Sequence, residues 1–375
     1  MRRKARKRPG RVATRRAVVV ALAAGAFAAG AAMGSGEPQP SSSAASRLSA
    51  AHLAGQRIVI GFDGPRPPKP VRRMIRGGRV AGVVLFADNL PGRAATRRLT
   101  AELQGIPRPP GLRAPLLVMT DQEGGLVKRL DGPPGASAQA MGARGAAFSR
   151  AQGAATGRNL LGVGINVDLA PVLDVARPGG AIARTARGFG SSPGRVASTA
   201  VPFASGLQAT GVAATAKHFP GFGAGRLNTD SAVERIELPA STLREVDEAP
   251  YRRFIAAGGE LVMLSTAIYP ALSASPAAFS REIATGELRD RLGFEGVAIT
   301  DALETVAVRD FGGPAKAGLA ATRAGVDLLL FTDHRAAARA WGALSGGLRS
   351  GALGRADFEL SADRVLQLRH RLGRR

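Results

Sequence analysis

The chain has 375 residues, no Cys, 52 basic against 28 acidic residues for a formal charge of +24, and is 45% hydrophobic with only 5% aromatic. Those figures exclude a disulfide-stapled miniature fold, a Cys-ligated zinc site and an intrinsically disordered chain. They leave room for one large domain or two ordinary ones with a substantial core.

Nine of the basic residues lie in the first 16 positions with no acid among them, so the rest of the chain carries +15. A surface of this sign attracts anionic lipid or an anionic wall polymer. Only six of the 52 are Lys, so the excess is an arginine bias. No basic stripe interleaved with aromatics and no recognition-helix pattern accompanies it, and nucleic acid is not an expected partner.

Ala17 to Met33 is an uncharged apolar run of 17 residues, followed by polar Gly34 to Ser43. A positive segment, an apolar core and small residues at its exit make 1–33 a secretory signal peptide or an N-terminal anchor, with Arg15 and Arg16 compatible with twin-arginine export. The expected location is secreted or in the cell envelope, with membrane contact only through this segment. Residues 34–54, rich in Ser, Pro and Ala, read as a flexible linker.

From Arg57 onward short β-branched runs alternate with helical stretches. The predicted strands are 58–62, 80–86, 116–120, 164–169, 212–216, 261–265, 296–300 and 326–331. They are continuous apolar runs, the pattern of strands covered on both faces. Helices are predicted over 96–104, 149–161, 195–208, 242–257, 284–292, 315–324 and 335–348, the fourth opening on a capping box of Thr242 and Glu245. Eight such alternations favour a single (β/α)8 TIM barrel over 55–375, with an open doubly wound sheet as the alternative.

Catalytic groups of a barrel come from the C-terminal ends of its strands. Here the third strand ends in Asp121-Gln-Glu-Gly-Gly125, the fourth runs into Asp168 and Asp174, the fifth ends in Lys217-His218 and the seventh in Asp301. Each alone has a structural reading: Asp301 as a helix N-cap, His218 as a core histidine, Lys217 as its solvated neighbour, Asp168 and Asp174 as braces about Ala170-Pro171. Their convergence on one rim favours a site. Four His without ligand spacing and no Cys argue against zinc, and no Gly-rich phosphate loop or Gly-x-Ser-x-Gly elbow follows a strand. Neither metal nor organic cofactor is expected.

These residues, with Arg129, the block Asn166-Val-Asp-Leu-Ala-Pro-Val-Leu-Asp174, Arg187-Gly-Phe-Gly190, Lys217-His-Phe-Pro-Gly221 and Phe294-Glu-Gly-Val-Ala-Ile-Thr-Asp301, resemble the single-domain β-N-acetylhexosaminidases of glycoside hydrolase family 3 from about Gly55 to the end. The resemblance implies a (β/α)8 barrel and a retaining glycosidase acting as a monomer on terminal β-linked sugars of cell-wall, muropeptide or chitin-type oligosaccharides. It makes Asp301 the nucleophile of a covalent glycosyl-enzyme, and Asp121, Arg129, Arg187, Lys217 and His218 the groups that hold the sugar hydroxyls. The sequence departs from the family in the loop after the fifth strand. Phe222 replaces one His, and Ala232 stands where the resemblance places the acid/base His beside Asp230. Asp230 and Glu234 are the carboxyls that would substitute. The alternatives are a non-catalytic sugar-binding homologue and a β-glucosidase-type specificity.

Overall fold

The computed structural model describes residues 43–227, 229–309 and 311–374. The expected signal or anchor over 1–33 lies outside the described residues. Among the described residues, no helix is long and apolar enough to cross a membrane.

The eight predicted strands all form, all but the fifth shorter than its apolar run, and the fifth extended to Phe219. They are β1 (Ile58–Ile60), β2 (Gly82–Val84), β3 (Leu117–Thr120), β4 (Val167–Asp168), β5 (Ala213–Phe219), β6 (Leu261–Leu264), β7 (Val297–Thr300) and β8 (Leu329–Phe331). Every neighbouring pair is parallel, in the order β8-β1-β2-β3-β4-β5-β6-β7. The ring closes where the Thr300 amide donates to the Leu328 carbonyl at 3.0 Å, and the Leu330 amide to Thr300 Oγ1 at 3.0 Å. An open sheet is thereby excluded.

Side-chain alternation along each strand sorts the core into two layers. Val59, Leu117, Met119, Leu261, Met263, Val297 and Ile299 fill the barrel, while Ile58, Ile60, Val118, Val262, Leu264 and Ala298 face the surrounding helices. Both faces of each strand are therefore buried, which is why the strands read as unbroken apolar runs. Val365, Leu368 and Leu372 of the helix Arg355–Gly373 belong to the inner cluster and plug the N-terminal end of the barrel. The polar, Arg-rich sequence of this helix concealed it from the sequence reading, as it did the helix Lys69–Arg76.

Two expectations are corrected. The linker read over 34–54 is folded from residue 43: a turn Ala45–Arg47 and a helix Ala50–Gly55 bury Ala45, Leu48, Leu53 and Ala54. The Ala45 amide donates to Asp363 Oδ1 at 3.1 Å, and Arg355 Nη2 to the Leu48 carbonyl at 2.8 Å. A few apolar side chains among small residues suffice, because the C-terminal helix covers them. The helix predicted from Thr242 begins earlier, after Pro239, so Thr242 is already helical and caps nothing. It continues as a π-type turn over Leu243–Asp247 and restarts at Ala249–Ala256, where Pro250 supplies no amide to bond backward.

Candidate active site

The inward parity of the strands carries on past their C-terminal ends. Val84 leads to Phe86, Met119 to Asp121, Met263 to Ser265, Ile299 to Asp301 and Leu330 to Thr332, and these continuations line one cavity of about 440 Å³. Its floor is the apolar top of the barrel core and its walls are charged. Asp121, Arg129, Arg187, Lys217, His218, Asp230 and Asp301 all line it. Two consecutive residues of β5 reach it because the register with β6 shifts between Ala216 and Phe219. The Lys217-His218 peptide bond is cis.

Lys217 organises the charged wall. Its Nζ donates to Asp121 Oδ1 at 2.7 Å and pairs with Glu123 Oε1 at 2.8 Å, although only 3% of the side chain is exposed. Arg187 closes a two-pronged bond on the same Glu123, Nε to Oε2 at 2.8 Å and Nη2 to Oε1 at 2.7 Å. Burial acts to raise the Glu123 carboxyl, but Lys217 and Arg187 outweigh it and bring the group down to about 2. Burial likewise acts to neutralise Lys217, and Asp121 and Glu123 hold its pKa above the ordinary value instead. Arg129 stands looser, 3.9 Å from Asp121 Oδ2.

Glu123 was missed as a site residue. Its position two residues after Asp121 in an extended segment was the available signal, since alternation sends both carboxyls to one side. The intervening Gln122 turns the other way, donating to the Leu130 carbonyl at 2.7 Å and accepting the Leu130 amide at 3.0 Å. It thereby holds the hairpin that presents Arg129.

His218 is fixed from behind. Fully buried Asp174 accepts its backbone amide at 3.1 Å, its ring Nδ1–H at 2.8 Å and the Phe222 amide at 2.6 Å. A carboxylate at Nδ1 leaves the Nε2 edge of the ring for the cavity. The Phe222 ring meets His218 edge-on at 6.0 Å and occupies the cavity wall where the resemblance expects a His. The loop is held close by Gly223, where a Cβ would come within 1.9 Å of the Val175 carbonyl oxygen.

Asp301 follows β7 directly. Its amide donates to the Leu264 carbonyl at 3.0 Å, and its Oδ1 accepts the Ala302 amide at 2.8 Å. Burial raises its pKa; charge on His218 opposes that, and the Asp230 carboxylate adds to it. Asp230 is thus electrically close to Asp301, and it lines the same cavity with Thr229. Glu234 does not: it is buried in the loop, where Oε1 accepts the Arg226 amide at 2.6 Å. Ala232 is not among the lining residues. Glu304, also missed, lines the cavity while its carboxylate accepts the Thr332 and Asp333 amides, each at 3.1 Å. Burial lifts it to about 7.

Asp168 lies beneath this network, wholly buried. Its Oδ1 accepts the Gln122 amide at 2.9 Å and its Oδ2 has no hydrogen-bond partner among the described residues. Burial pushes it up to about 8 against the opposing pull of the Gln122 amide and Lys217. A raised carboxyl contributes its full stability below the unfolded value of about 4 and loses it as pH rises through about 8. Asp168→Asn, which mimics the protonated form and keeps the acceptor, is expected to flatten the fall in thermal stability between those limits. Melting curves taken across that interval test this, and parallel profiles for both proteins would refute it.

Among the described residues no group of three or more His, Asp or Glu is placed to hold a metal ion.

Comparison with known proteins places this geometry. Residues 51–368 match the Glycosyl hydrolase family 3 N terminal domain. A protein of Arthroderma benhamiae described as an uncharacterized secreted glycosyl hydrolase is 37% identical over 331 residues, 85% of this chain and 93% of its own length. A beta-hexosaminidase of Alkalilimnicola ehrlichii is 33% identical over 290 residues, covering 74% of this chain and 80% of its own. Among solved structures, a beta-N-acetylhexosaminidase from Beutenbergia cavernae superposes with a TM-score of 0.81 at 32% identity, covering 86% of this chain and 98% of that one. A family 3 beta-N-acetylglucosaminidase from Paenibacillus gives 0.82 at 33% identity, and there the match covers 87% of this chain but 63% of the other. With its closed parallel barrel and its lysine-centred pocket, the chain belongs to glycosyl hydrolase family 3.

Proposed function

We propose that the protein is an exported, retaining β-glycosidase of hexosaminidase type. Asp301 attacks the anomeric carbon of a terminal β-linked sugar to form a glycosyl-enzyme, while Asp230 protonates the departing oxygen and then draws a proton from the attacking water. The observation that carries this reading is the meeting of Asp301, Asp230, Lys217 and His218 in one cavity. Two carboxyls in mutual electrical contact are the minimum for double displacement, and Arg187, Lys217 and Asp121 supply the fixed charges that orient a polyhydroxylated ring. Relatives bearing hexosaminidase names support the N-acetylated sugar, and the relative named as secreted supports export.

Asp230 is preferred to Glu234 because it lines the cavity and Glu234 is spent on the Arg226 amide. Asp230→Ala is expected to lower kcat/KM for a disaccharide by about 10²–10⁴-fold and far less for an aryl glycoside whose aglycone leaves without a proton. Glu234→Gln leaves both rates near those of the parent. Steady-state kinetics on the two substrates decide the assignment, and an unchanged pH–rate profile in Asp230→Ala would remove Asp230 from the role.

The presence of Ala at position 232 favours a second reading, a sugar-binding homologue with little turnover. Binding of N-acetylglucosamine by a protein that hydrolyses neither an activated aryl glycoside nor a disaccharide would support that reading instead. Preferential hydrolysis of aryl β-glucosides would shift the specificity to the glucosidase type.

A further inference from the structure

The opposite end of the barrel holds a second charged cavity that the sugar chemistry does not use. It occupies about 250 Å³ between the start of β1, the approaches to β7 and β8, and the C-terminal helix. Five arginines line it, Arg57, Arg281, Arg289, Arg323 and Arg364, against two acids, Asp327 and Asp357, a surplus of three positive charges.

Asp327 is fully buried and already saturated. Its Oδ2 accepts Arg289 Nη2 at 2.5 Å and the Ala298 amide at 2.8 Å, and its Oδ1 accepts Ser361 Oγ at 2.9 Å and Arg364 Nη1 at 3.2 Å. Asp357 is exposed. Arg57 is 1% exposed, with its guanidinium 4.5 Å above the Phe358 ring and one nitrogen donating to the Val326 carbonyl. Its Nε is buried and unpaired, as are Arg289 Nε and Thr322 Oγ1. Buried donors without acceptors, and a guanidinium sharing its one nearby buried carboxylate with two others, are costly unless an anion completes them. Burial draws Arg57 down to about 10, with Asp327 and Asp357 opposing and Arg289 and Arg364 adding to the fall, so it stays charged at neutral pH.

We propose that this cavity is an oxyanion site that takes a phosphate group. A tetrahedral anion presents acceptors in several directions at once, which suits guanidinium donors arriving from three helices and from the residue before β1. Its charge of about −1 to −2 offsets most of the three-charge surplus, and the group can be a free ion or part of a phosphodiester chain. Arg281 and Arg323, exposed at the mouth, draw it in, and Arg57 with Arg289 receives it below.

The test uses the full chain and inorganic phosphate, titrated calorimetrically at physiological ionic strength. Buried Arg57 is left alone because its loss would endanger folding. Saturable one-to-one binding is expected, weakened about tenfold or more by the double variant Arg281→Gln/Arg323→Gln and changed less than about twofold by Arg98→Gln/Arg150→Gln, two exposed arginines elsewhere. Hydrolysis of an aryl glycoside stays unchanged in both. A glycerol-phosphate oligomer that competes with phosphate identifies a polymer as the natural occupant, whereas phosphate binding without competition identifies the free ion; either supports the site. Equal weakening by both double variants, or no saturable binding to the parent, would mean surface attraction only and would overturn the proposal.

Discussion

Asp301→Asn is expected to reduce hydrolysis of every glycoside by about 10⁴-fold or more, the scale of removing a covalent nucleophile from a hydrolase, while the fold is retained. The amide keeps the shape and can still accept the Ala302 amide that Oδ1 now receives at 2.8 Å, so the loop after β7 has no reason to move. What it loses is the negative charge that the proposed mechanism directs at the anomeric carbon. In the parent, burial holds the Asp301 pKa above that of an ordinary aspartate, so turnover falls as pH drops through this raised value, and the acid limb of the pH–rate profile lies higher than for an exposed carboxylate. Trapping with a fluorinated glycosyl donor, followed by mass spectrometry, places the sugar on the peptide containing Asp301. A variant as active as the parent, or a label on another peptide, would falsify the assignment.

Lys217→Met carries the largest expected cost in stability. Lys217 neutralises Asp121 and Glu123 together, at 2.7 and 2.8 Å, in a place where neither Lys217 nor Glu123 is exposed beyond 3%. Removing one partner of such a network leaves uncompensated buried charge, a loss of about 3–5 kcal/mol. Denaturant unfolding should report a lower midpoint with an unchanged slope. Asp121→Asn in the same background should restore part of the loss, since Asp121 then keeps only Arg129, 3.9 Å away, and the double-mutant cycle measures the coupling. Two single variants whose effects simply add would show that the pair contributes nothing as a pair. The Glu123 contribution has its own pH signature: it is present above the unfolded value near 4.5 and disappears as pH falls through about 2.

The fold was largely legible because barrel strands bury both faces and so appear as short apolar runs between helical ones. Every such run became a strand. What escaped were segments whose helicity depends on a partner: the Arg-rich C-terminal helix, whose charged residues surround Val365, Leu368 and Leu372 where these plug the barrel, and the helix Ala50–Gly55, which its composition disguised as linker. In both, the apolar contacts that hold the helix are long-range.

In the site, the residues that follow strand ends were readable one by one, since their place in the chain already assigns them to the rim. Asp121 and Asp301 are of this kind, and Lys217 follows the predicted run 212–216 although β5 itself continues through it to Phe219. The sequence alone determined a parallel eight-fold alternation, the family resemblance and a loop lacking its expected His. Only the tertiary structure decided that Glu123 clamps Lys217 and Arg187 together, that Asp174 anchors His218, and that Asp230 rather than Glu234 faces the cavity. Those outcomes depend on which charges become neighbours once water is excluded, and neighbours from different strands share no spacing along the chain from which their pairing could be read.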